Sequence, residues 1–406
     1  MPQQPLVILG AGIGGLTLGR CLRKEGIPSV IYEKATSSKR HNYGITLHKW
    51  AYTPLLQMLN IDEHSFRRQL AVDSLHHAGI GELYSHESQA LRTNTSGSFR
   101  ANRFKLERLL REGQDIKWEH DLSPVRMASD LARSTSLTFQ NSLAISSSFV
   151  VDALGVHSPL RTSLLPDYNF NVLPFVVFSG KRRVTHQEFV TIYAPHLKDA
   201  NILTLRPAID QRVLLQIWVD DHPSNSEVQI TYVYSRPARS NHHERPDPLH
   251  NPSRPLNGAT DIPDAFYHEL QLLFAKTELP DPFSSTFDPA RIRPERVLHW
   301  LMRTMHVSTA DLHKVLDESG IIMIGDSAHP MPILGGDGAN HAIKDAVEVA
   351  GLIASSLSAQ PTRLGSDSST RARFNKQAVK ELYEKCWSRW QSGIMESEEN
   401  IASMHD

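Results

Sequence analysis

Apolar runs and helical patterns alternate at the start of the chain. Leu6 to Leu9 is an apolar run that predicts a strand, and Leu16 to Lys24 has helical spacing that closes at Gly26. Val30 to Tyr32 predicts a second strand. A strand, a helix and a second strand in this order are typical of a βαβ unit. The sequence therefore predicts an α/β domain here.

The next 120 residues mix short strands with amphipathic helices. The patterns predict a strand at Tyr43 to His48, a helix around Pro54 to Leu59, strand pairs at Ala71 to Tyr84 and Ala90 to Arg100, a helix at Asn102 to Leu110, and strands at Leu137 to Phe139 and Ser148 to Val151. We expect the last two strands to rejoin the first sheet.

Period-two alternation dominates Phe170 to Tyr234. Several strands with no long helix between them predict an antiparallel sheet, including a strand in the run FVTIYAP. Pro237 to Pro263 lacks an apolar period and predicts a long surface loop. The remaining predictions are helices at Ala265 to Ala275, Val297 to Met305, Ala342 to Leu357 and Arg371 to Ile401, and a buried strand at Ile321 to Ile324.

Composition narrows the class of protein. A chain of 406 residues with 40% hydrophobic residues can form two domains, and a formal charge of −1 gives no reason to expect a nucleic acid partner. Its two cysteines, Cys21 and Cys386, indicate a reducing compartment. No apolar run reaches the roughly 18 to 20 residues of a membrane span. We therefore expect a soluble, cytoplasmic protein.

The first turn carries a dinucleotide fingerprint. Gly10, Gly12, Gly14 and Gly15 lie between the first strand and the first helix, and Glu33 ends the second strand. Glycines here allow a tight turn and close approach to a pyrophosphate, and the acidic residue binds the adenosine ribose. Because a carboxylate repels a 2′-phosphate, FAD or NAD is expected rather than NADP.

A second glycine-rich stretch lies near the other end of the chain. Gly325-Asp326 follows a predicted strand, and after Pro330 and Pro332 the run Gly335-Gly336-Asp337-Gly338 precedes a helical pattern that begins near Ala339. Unpaired amides at a helix start bind anions. The sequence therefore predicts a carboxylate for a sugar hydroxyl beside amides for a phosphate or an electron-rich ring edge.

The histidines are weaker candidates for a catalytic base or for metal ligands. His48 could act as a base near a reacting centre, but a hydrogen-bonded histidine at a strand end is the favoured interpretation. His242, His243 and His250 lack Cys, Asp or Glu partners at zinc-site spacing, so no metal site is predicted. The tryptophans Trp387 and Trp390 are interpreted as packing anchors.

Together these motifs resemble the class A flavoprotein monooxygenases, the p-hydroxybenzoate hydroxylase-like family. The resemblance implies a Rossmann-like FAD-binding domain, an antiparallel-sheet substrate domain and a C-terminal helix. It implies that Arg103, at the head of its helix, contacts the FAD pyrophosphate and ribityl region and that Asp326 binds the ribityl chain. The predicted cofactor site contains Gly10, Gly12, Gly14, Gly15, Glu33, Gly44, Arg103, Asp152, Asp326, Pro332, Gly335, Gly336, Gly338, Ala339 and Asn340.

Two positions depart from the family pattern. The family motif Asp-Gly-x-x-Ser-x-x-Arg aligns with Gly155, Ser158 and Arg161, which places Leu154 where an aspartate is usual. Asp152 lies two residues earlier, and strand alternation would put it on the same face, so either it is a substitute for the missing aspartate or the reduction step differs from that of the family. Asp337 stands where a glutamine is usual.

The resemblance also implies a domain layout and a reaction. Residues 1–75, 101–165 and 296–357 are predicted to form the FAD-binding domain, 76–100 and 166–295 the substrate domain, and 358–406 a C-terminal helical segment. NADPH or NADH would reduce noncovalent FAD transiently. A flavin C4a-hydroperoxide would then hydroxylate or epoxidise a mid-sized aromatic, indole or polyketide-type molecule of secondary metabolism. The alternatives are a flavin dehydrogenase or oxidase reduced by its own substrate, and a non-catalytic flavin-binding regulator; the oligomeric state is left open.

Overall fold

The strands lie on the apolar and β-branched runs of the sequence. The computed structural model describes residues 4–38, 41–74, 79–83, 97–123, 135–198, 200–224, 226–239, 247–254, 258–358 and 375–406. In chain order the strands are β1 (Leu6–Leu9), β2 (Ser29–Tyr32), β3 (Gly44–Leu47), β4 (Phe99–Asn102), β5 (Ile116–Lys117), β6 (Thr135–Thr138), β7 (Ala144–Ser147), β8 (Val150–Asp152), β9 (Asn171–Val172), β10 (Phe175–Thr185), β11 (Ile202–Leu205), β12 (Leu214–Ser224), β13 (Glu227–Pro237), β14 (Val297–Trp300), β15 (Arg303–Thr304) and β16 (Ile321–Met323).

The helices begin at polar caps or at turns. Asp62, Asn102, Ser158, Ser308 and Asn375 each accept a hydrogen bond from a first-turn backbone N–H, as capping side chains do. In chain order the helices are α1 (Ile13–Lys24), α2 (Lys49–Leu59), α3 (Glu63–Leu70), α4 (Arg103–Arg111), α5 (Pro159–Leu164), α6 (His186–Glu188), α7 (Ala194–Leu197), α8 (Asp264–Lys276), α9 (Phe283–Phe287), α10 (Pro289–Ile292), α11 (Thr309–Ser319), α12 (Gly338–Ser358) and α13 (Lys376–Ser403).

A parallel sheet of order β16-β8-β1-β2-β5 forms the centre of the first domain. Leu9 of β1 is paired with Asp152 of β8, which is paired with Met323 of β16. These three strands therefore end at one edge of the sheet. Ligands of open α/β sheets bind beyond the carboxyl ends of the strands. The Gly10 turn and the Asp326 turn both follow this edge.

The second domain is an antiparallel sheet of order β11-β12-β13-β10-β14. Apolar side chains such as Phe178, Ile217 and Ile230 cover one face and pack in a core with Phe266 and Leu270 of α8. The opposite face contacts the first domain and the C-terminal helix, where Val177 and Val233 pack in a core with Ile401. Helix α13 also packs into the core of the first domain through Tyr383 and Trp390.

Several predicted elements are wrong. The run FVTIYAP forms a π-helical segment at Phe189–Tyr193 followed by α7, because its apolar residues pack on one side of a helical turn. Val297 to Met305 forms β14 and β15 rather than a helix, since β14 pairs with β10 at the sheet edge. The Ala71 region contains an isolated bridge to Ala101, with no strand among its described residues.

Two further expectations need correction. β8 joins the parallel sheet as predicted, but β6 pairs with β7 in a separate hairpin and, among the described strands, is not part of that sheet. The Pro237 to Pro263 region is not wholly a surface loop, because Asp247 and Leu249 are buried. Residues 84–96, 240–246 and 359–374 lie outside the described residues, and so do most of the predicted Ala90 to Arg100 strand and His242 and His243. Within the described ranges, no helix is both long and apolar enough to cross a membrane.

Candidate functional site

The glycine turn after β1 is built for close approach by a ligand. A methyl group on Gly15 would lie 2.0 Å from the Gly10 carbonyl oxygen, so this position requires glycine. A methyl group on Gly12 would meet nothing within 4 Å, so the space in front of it is open. Gly12 is the N-cap of α1 and supplies no capping side chain. The first amides of α1 therefore suit a pyrophosphate.

Glu33 is fixed beside this turn. Its Oε2 accepts a hydrogen bond from the Ala11 amide at 2.7 Å, and its Oε1 accepts one from the Ala35 amide at 2.8 Å. Gly10 N also donates to the carbonyl oxygen of Tyr32. The carboxylate that the sequence assigns to a ribose is thus held at the end of β2, next to the Gly10 turn.

Asp326 has an unsatisfied oxygen in the second motif. Its Oδ1 is closed to solvent and accepts no hydrogen bond in the described part of the chain. A methyl group on Gly338 would lie 2.9 Å from this oxygen, so α12 begins directly against the carboxylate. Burial raises the pKa of Asp326, and His329, Arg103 and Arg161 partly offset the rise. Such a group gains when a ligand hydroxyl donates to it.

Two arginines surround Asp326. Arg103 begins α4, and it donates from Nε to Glu107 at 2.8 Å and from Nη1 to the Tyr43 hydroxyl. Arg161 donates from Nη1 to the Asp326 carbonyl oxygen at 3.1 Å. Both cations act on the Asp326 carboxylate. The predicted Arg103 and Asp326 are therefore brought to one place.

The two glycine motifs meet in space as their sequences require. A methyl group on Gly14 would lie 3.5 Å from the Ala342 side chain of α12 and 3.8 Å from Ile324. Helices α1 and α12 thus begin side by side above the sheet edge. Their positive ends converge on the same region, which favours an anionic ligand or a ring that gains negative charge.

His48 connects β3 to the glycine loop before α12. Its Nδ1 is 2.7 Å from the Ser98 hydroxyl and its Nε2 is 2.9 Å from Asp337 Oδ1. Its backbone N–H donates to Asn340 Oδ1, and Asn340 Nδ2 donates to the Thr46 carbonyl. Both ring nitrogens are engaged, as in the favoured interpretation of a hydrogen-bonded histidine. Asp337, at the position where glutamine is usual, pairs with His48.

The strand that carries Asp152 ends before Leu154, contrary to the expectation of strand alternation. Leu154 has φ −72° and ψ −8°, and it lies beyond the end of β8. Asp152 and Leu154 therefore do not share a strand face, and that reason was wrong. Asp152 is fully buried, and it accepts hydrogen bonds from Ser158 Oγ at 2.5 Å and from the Leu154 amide at 2.9 Å. Burial raises its pKa to about 6.

The remaining predicted cofactor residues do not all lie in the same part of the molecule. Pro332, Gly335, Gly336 and Ala339 lie in the loop and helix start beside Asp326 and Gly338. Gly44 is placed differently, because its amide donates to Asp220 Oδ1 of the second domain at 2.7 Å. The cofactor contact at Gly44 stays a prediction.

Sequence reasoning missed polar residues on the inner face of the second sheet. Lys181 Nζ donates to the Asn42 carbonyl at 3.0 Å and lies 4.5 Å from the centre of the Tyr43 ring. Gln216 is buried, and its Oε1 has no partner among the described residues. Strand pairing puts both on the face that carries Trp218. Only the register shows this, because alternation alone does not say which face is which.

Comparisons with known proteins find relatives that cover most of the chain. The family model described as "FAD binding domain" matches residues 3–255 and 288–382. The chain is 30% identical over 419 residues to the FAD-dependent monooxygenase adaC of Aspergillus niger, covering 99% of this chain and 93% of that protein. It is 31% identical over 366 residues to the FAD-dependent monooxygenase vrtH of Penicillium aethiopicum, covering 86% and 83%.

Solved structures share the fold at lower identity. A putative FAD-containing monooxygenase from Photorhabdus luminescens superposes with a TM-score of 0.67 at 19% identity, covering 98% of each chain. HpxO of Klebsiella pneumoniae, solved with FAD and uric acid, gives a TM-score of 0.64 at 14% identity and covers 99% of this chain and 89% of that chain.

Proposed function

Since this chain belongs to the FAD-binding domain family and is an FAD-dependent monooxygenase, we propose that NADPH or NADH reduces its FAD and that it oxygenates a mid-sized aromatic, indole or polyketide-type molecule. When bound, FAD accepts a hydride and activates O2. One observation carries the cofactor assignment to particular residues: the Oδ1 of Asp326 is buried against Gly338 and has no hydrogen-bond partner in the described ranges.

The residues suit FAD in a single orientation. Amides at the start of α1 would bind the pyrophosphate, and Glu33 would bind the adenosine ribose. Asp326 would accept from the ribityl chain, with Arg103 next to it. The start of α12, from Gly335 to Asn340, would then face the ring. Its helix dipole would stabilise negative charge on the reduced ring.

The second sheet is proposed as the substrate domain. The face that carries Lys181, Gln216 and Trp218 lies next to Tyr43, whose hydroxyl accepts from Arg103. This arrangement offers a substrate a cation, an aromatic surface and an amide oxygen that is unpaired in the described part of the chain. Burial lowers the pKa of Lys181. Phenol hydroxylation would also require a base, for which His48 is the candidate, whereas epoxidation would require none.

The layout of the domains is proposed with two adjustments. Residues 297–300 were assigned to the FAD-binding domain, but β14 pairs with β10 in the second sheet. We place this strand in the substrate domain. Helix α13 contributes Tyr383 and Trp390 to the core of the first domain, so we assign it there as a further layer rather than to a separate segment.

Rapid mixing tests the proposed reaction. Anaerobic holoprotein is mixed with NADPH, with NADH and with each candidate substrate, and flavin bleaching is followed at 450 nm. We expect a reduced nicotinamide to bleach the flavin and candidate substrates to leave it oxidised. Incubation with 18O2 should then add one labelled atom to the product. Bleaching by a substrate in the absence of nicotinamide would instead identify a dehydrogenase or oxidase.

A further inference from the structure

We propose that Asp345 is a positioning residue that sets the Asp326 carboxylate for FAD and that α13 holds Asp345 in place. This inference rests on the proposed role of Asp326. Asp345 lies in α12, and its side chain is buried among groups from the second glycine motif and from the C-terminal helix. It had no role in the sequence-based prediction.

One oxygen of Asp345 accepts hydrogen bonds from both ends of the turn that carries Asp326. Oδ2 accepts from the Gly325 amide at 2.9 Å and from His329 Nε2 at 2.6 Å. The turn between them is tight, because the amides of Ala328 and His329 both donate to the Gly325 carbonyl. Gly325 has φ +59°, a conformation that favours glycine. Asp345 therefore fixes Gly325, immediately before Asp326, and His329, three residues after it.

The other oxygen of Asp345 is held by the C-terminal helix. Oδ1 accepts from Arg389 Nη1 at 3.0 Å and from Trp390 Nε1 at 2.9 Å. Arg389 Nη2 also donates to Glu348 at 2.6 Å. The Trp390 ring stacks on the His329 ring with centroids 4.6 Å apart. Asp345 and His329 therefore both contact α13.

The charges make these bonds strong. Burial alone would raise the pKa of Asp345, but His329, Arg389 and Trp390 hold it well below its usual range. Asp345 is thus a carboxylate that accepts four hydrogen bonds, two of them from potential cations. Charge-assisted bonds of this kind are about twice as strong as neutral ones. A network of this strength keeps the turn rigid.

The competing explanation is that Asp345 only anchors α13 to the fold. A double-mutant cycle separates the two, because residues that act through one another give non-additive effects. We expect Asp345→Asn to weaken FAD binding by about tenfold or more, the effect of losing a charged hydrogen-bond partner. In an Asp326→Ala background, the same substitution should change the dissociation constant by less than about twofold, because the group that Asp345 positions is already gone.

The experiment measures FAD binding to apoprotein by quenching of flavin fluorescence. Asp317→Asn is the matched control. Asp317 forms an ion pair with Lys380 of α13, with 2.6 Å between Oδ2 and Nζ, and this pair lies away from the turn. The control should bind FAD like the wild type. Arg389→Met is the second variant in case Asp345→Asn does not fold, and it should show the same non-additivity. Circular dichroism confirms that each apoprotein is folded.

The outcomes are distinct. Additive effects of the Asp345 and Asp326 substitutions, or a wild-type dissociation constant in both Asp345→Asn and Arg389→Met, would overturn the positioning role. Wild-type binding by Asp326→Ala would instead refute the proposed cofactor site, and with it the premise of this inference. Equal weakening in Asp317→Asn would show that α13 docking in general is responsible and would also overturn the proposal.

Discussion

Asp326→Ala should change FAD affinity and apoprotein stability in opposite directions. In the holoprotein the substitution would remove the proposed charge-assisted bond to a ribityl hydroxyl, and such a bond is worth about 1.5 to 3 kcal/mol, or roughly tenfold to a hundredfold in affinity. In the apoprotein, Oδ1 is buried and has no hydrogen-bond partner among the residues that the structure describes. Removing an unsatisfied buried acceptor recovers roughly 1 to 3 kcal/mol of desolvation cost. The variant should therefore unfold at higher urea concentration than the wild-type apoprotein.

Two titrations measure these effects. Quenching of FAD fluorescence gives the dissociation constant, and urea unfolding of apoprotein gives the free energy of unfolding. His250→Ala is the control, because the His250 side chain bonds to the Leu173 carbonyl at 3.2 Å in the Pro-rich region. It should change neither flavin content nor the rate of flavin reduction. Dissociation constants for Asp326→Ala and wild type within twofold of each other would show that Asp326 does not hold the cofactor.

Three further results are expected. Acid precipitation should release FAD into the supernatant, since noncovalent contacts account for the whole proposed site, and flavin retained in the pellet would contradict this. His48→Ala should weaken FAD binding several-fold, because the ring of His48 bonds to Ser98 and Asp337 and so holds the glycine loop, with about 1 kcal/mol for each bond. His64 is exposed, and His64→Ala should have no effect. Equal dissociation constants for His48→Ala and wild type would exclude the role of His48 in holding the loop. The folded state binds the Asp152 proton more tightly than the unfolded state, because the pKa of Asp152 is about 6 when folded against an ordinary value of 3.8. The unfolding free energy of wild-type apoprotein should therefore fall as pH rises from about 4 to above 6. Relative to Asp152→Asn, the fall should be up to about 3 kcal/mol. Parallel pH curves for the two proteins would refute this burial effect.

The sequence predicted the parts of the site that depend on local backbone geometry. Gly10 to Gly15 and Glu33 surround one tight turn, and their spacing is set by the length of a strand and a helix. The same holds for Gly325-Asp326 and for Gly338 at the start of α12. Because these contacts span few residues, the sequence pattern identified them together with the cofactor class.

Short apolar runs were ambiguous for a physical reason. FVTIYAP and Val297–Trp300 are both short, mainly apolar runs, yet the first is helical and the second is an edge strand of the sheet. Periodicity over so few residues does not separate the two states. Pairing with β10 decided the second case, and that pairing depends on residues more than 100 positions away.

Only the tertiary structure decided which distant groups complete the site. Asp345 and Trp390 are 45 positions apart, and Lys181 and Tyr43 are 138 apart, so no local pattern links either pair. Helix docking brings the first pair together, and sheet register with domain packing brings the second. The sequence by itself determined the cofactor turns because a turn is a property of neighbouring residues. The groups that hold the Asp326 turn, and those proposed to face the substrate, are set by packing between elements, and packing energy depends on the whole fold.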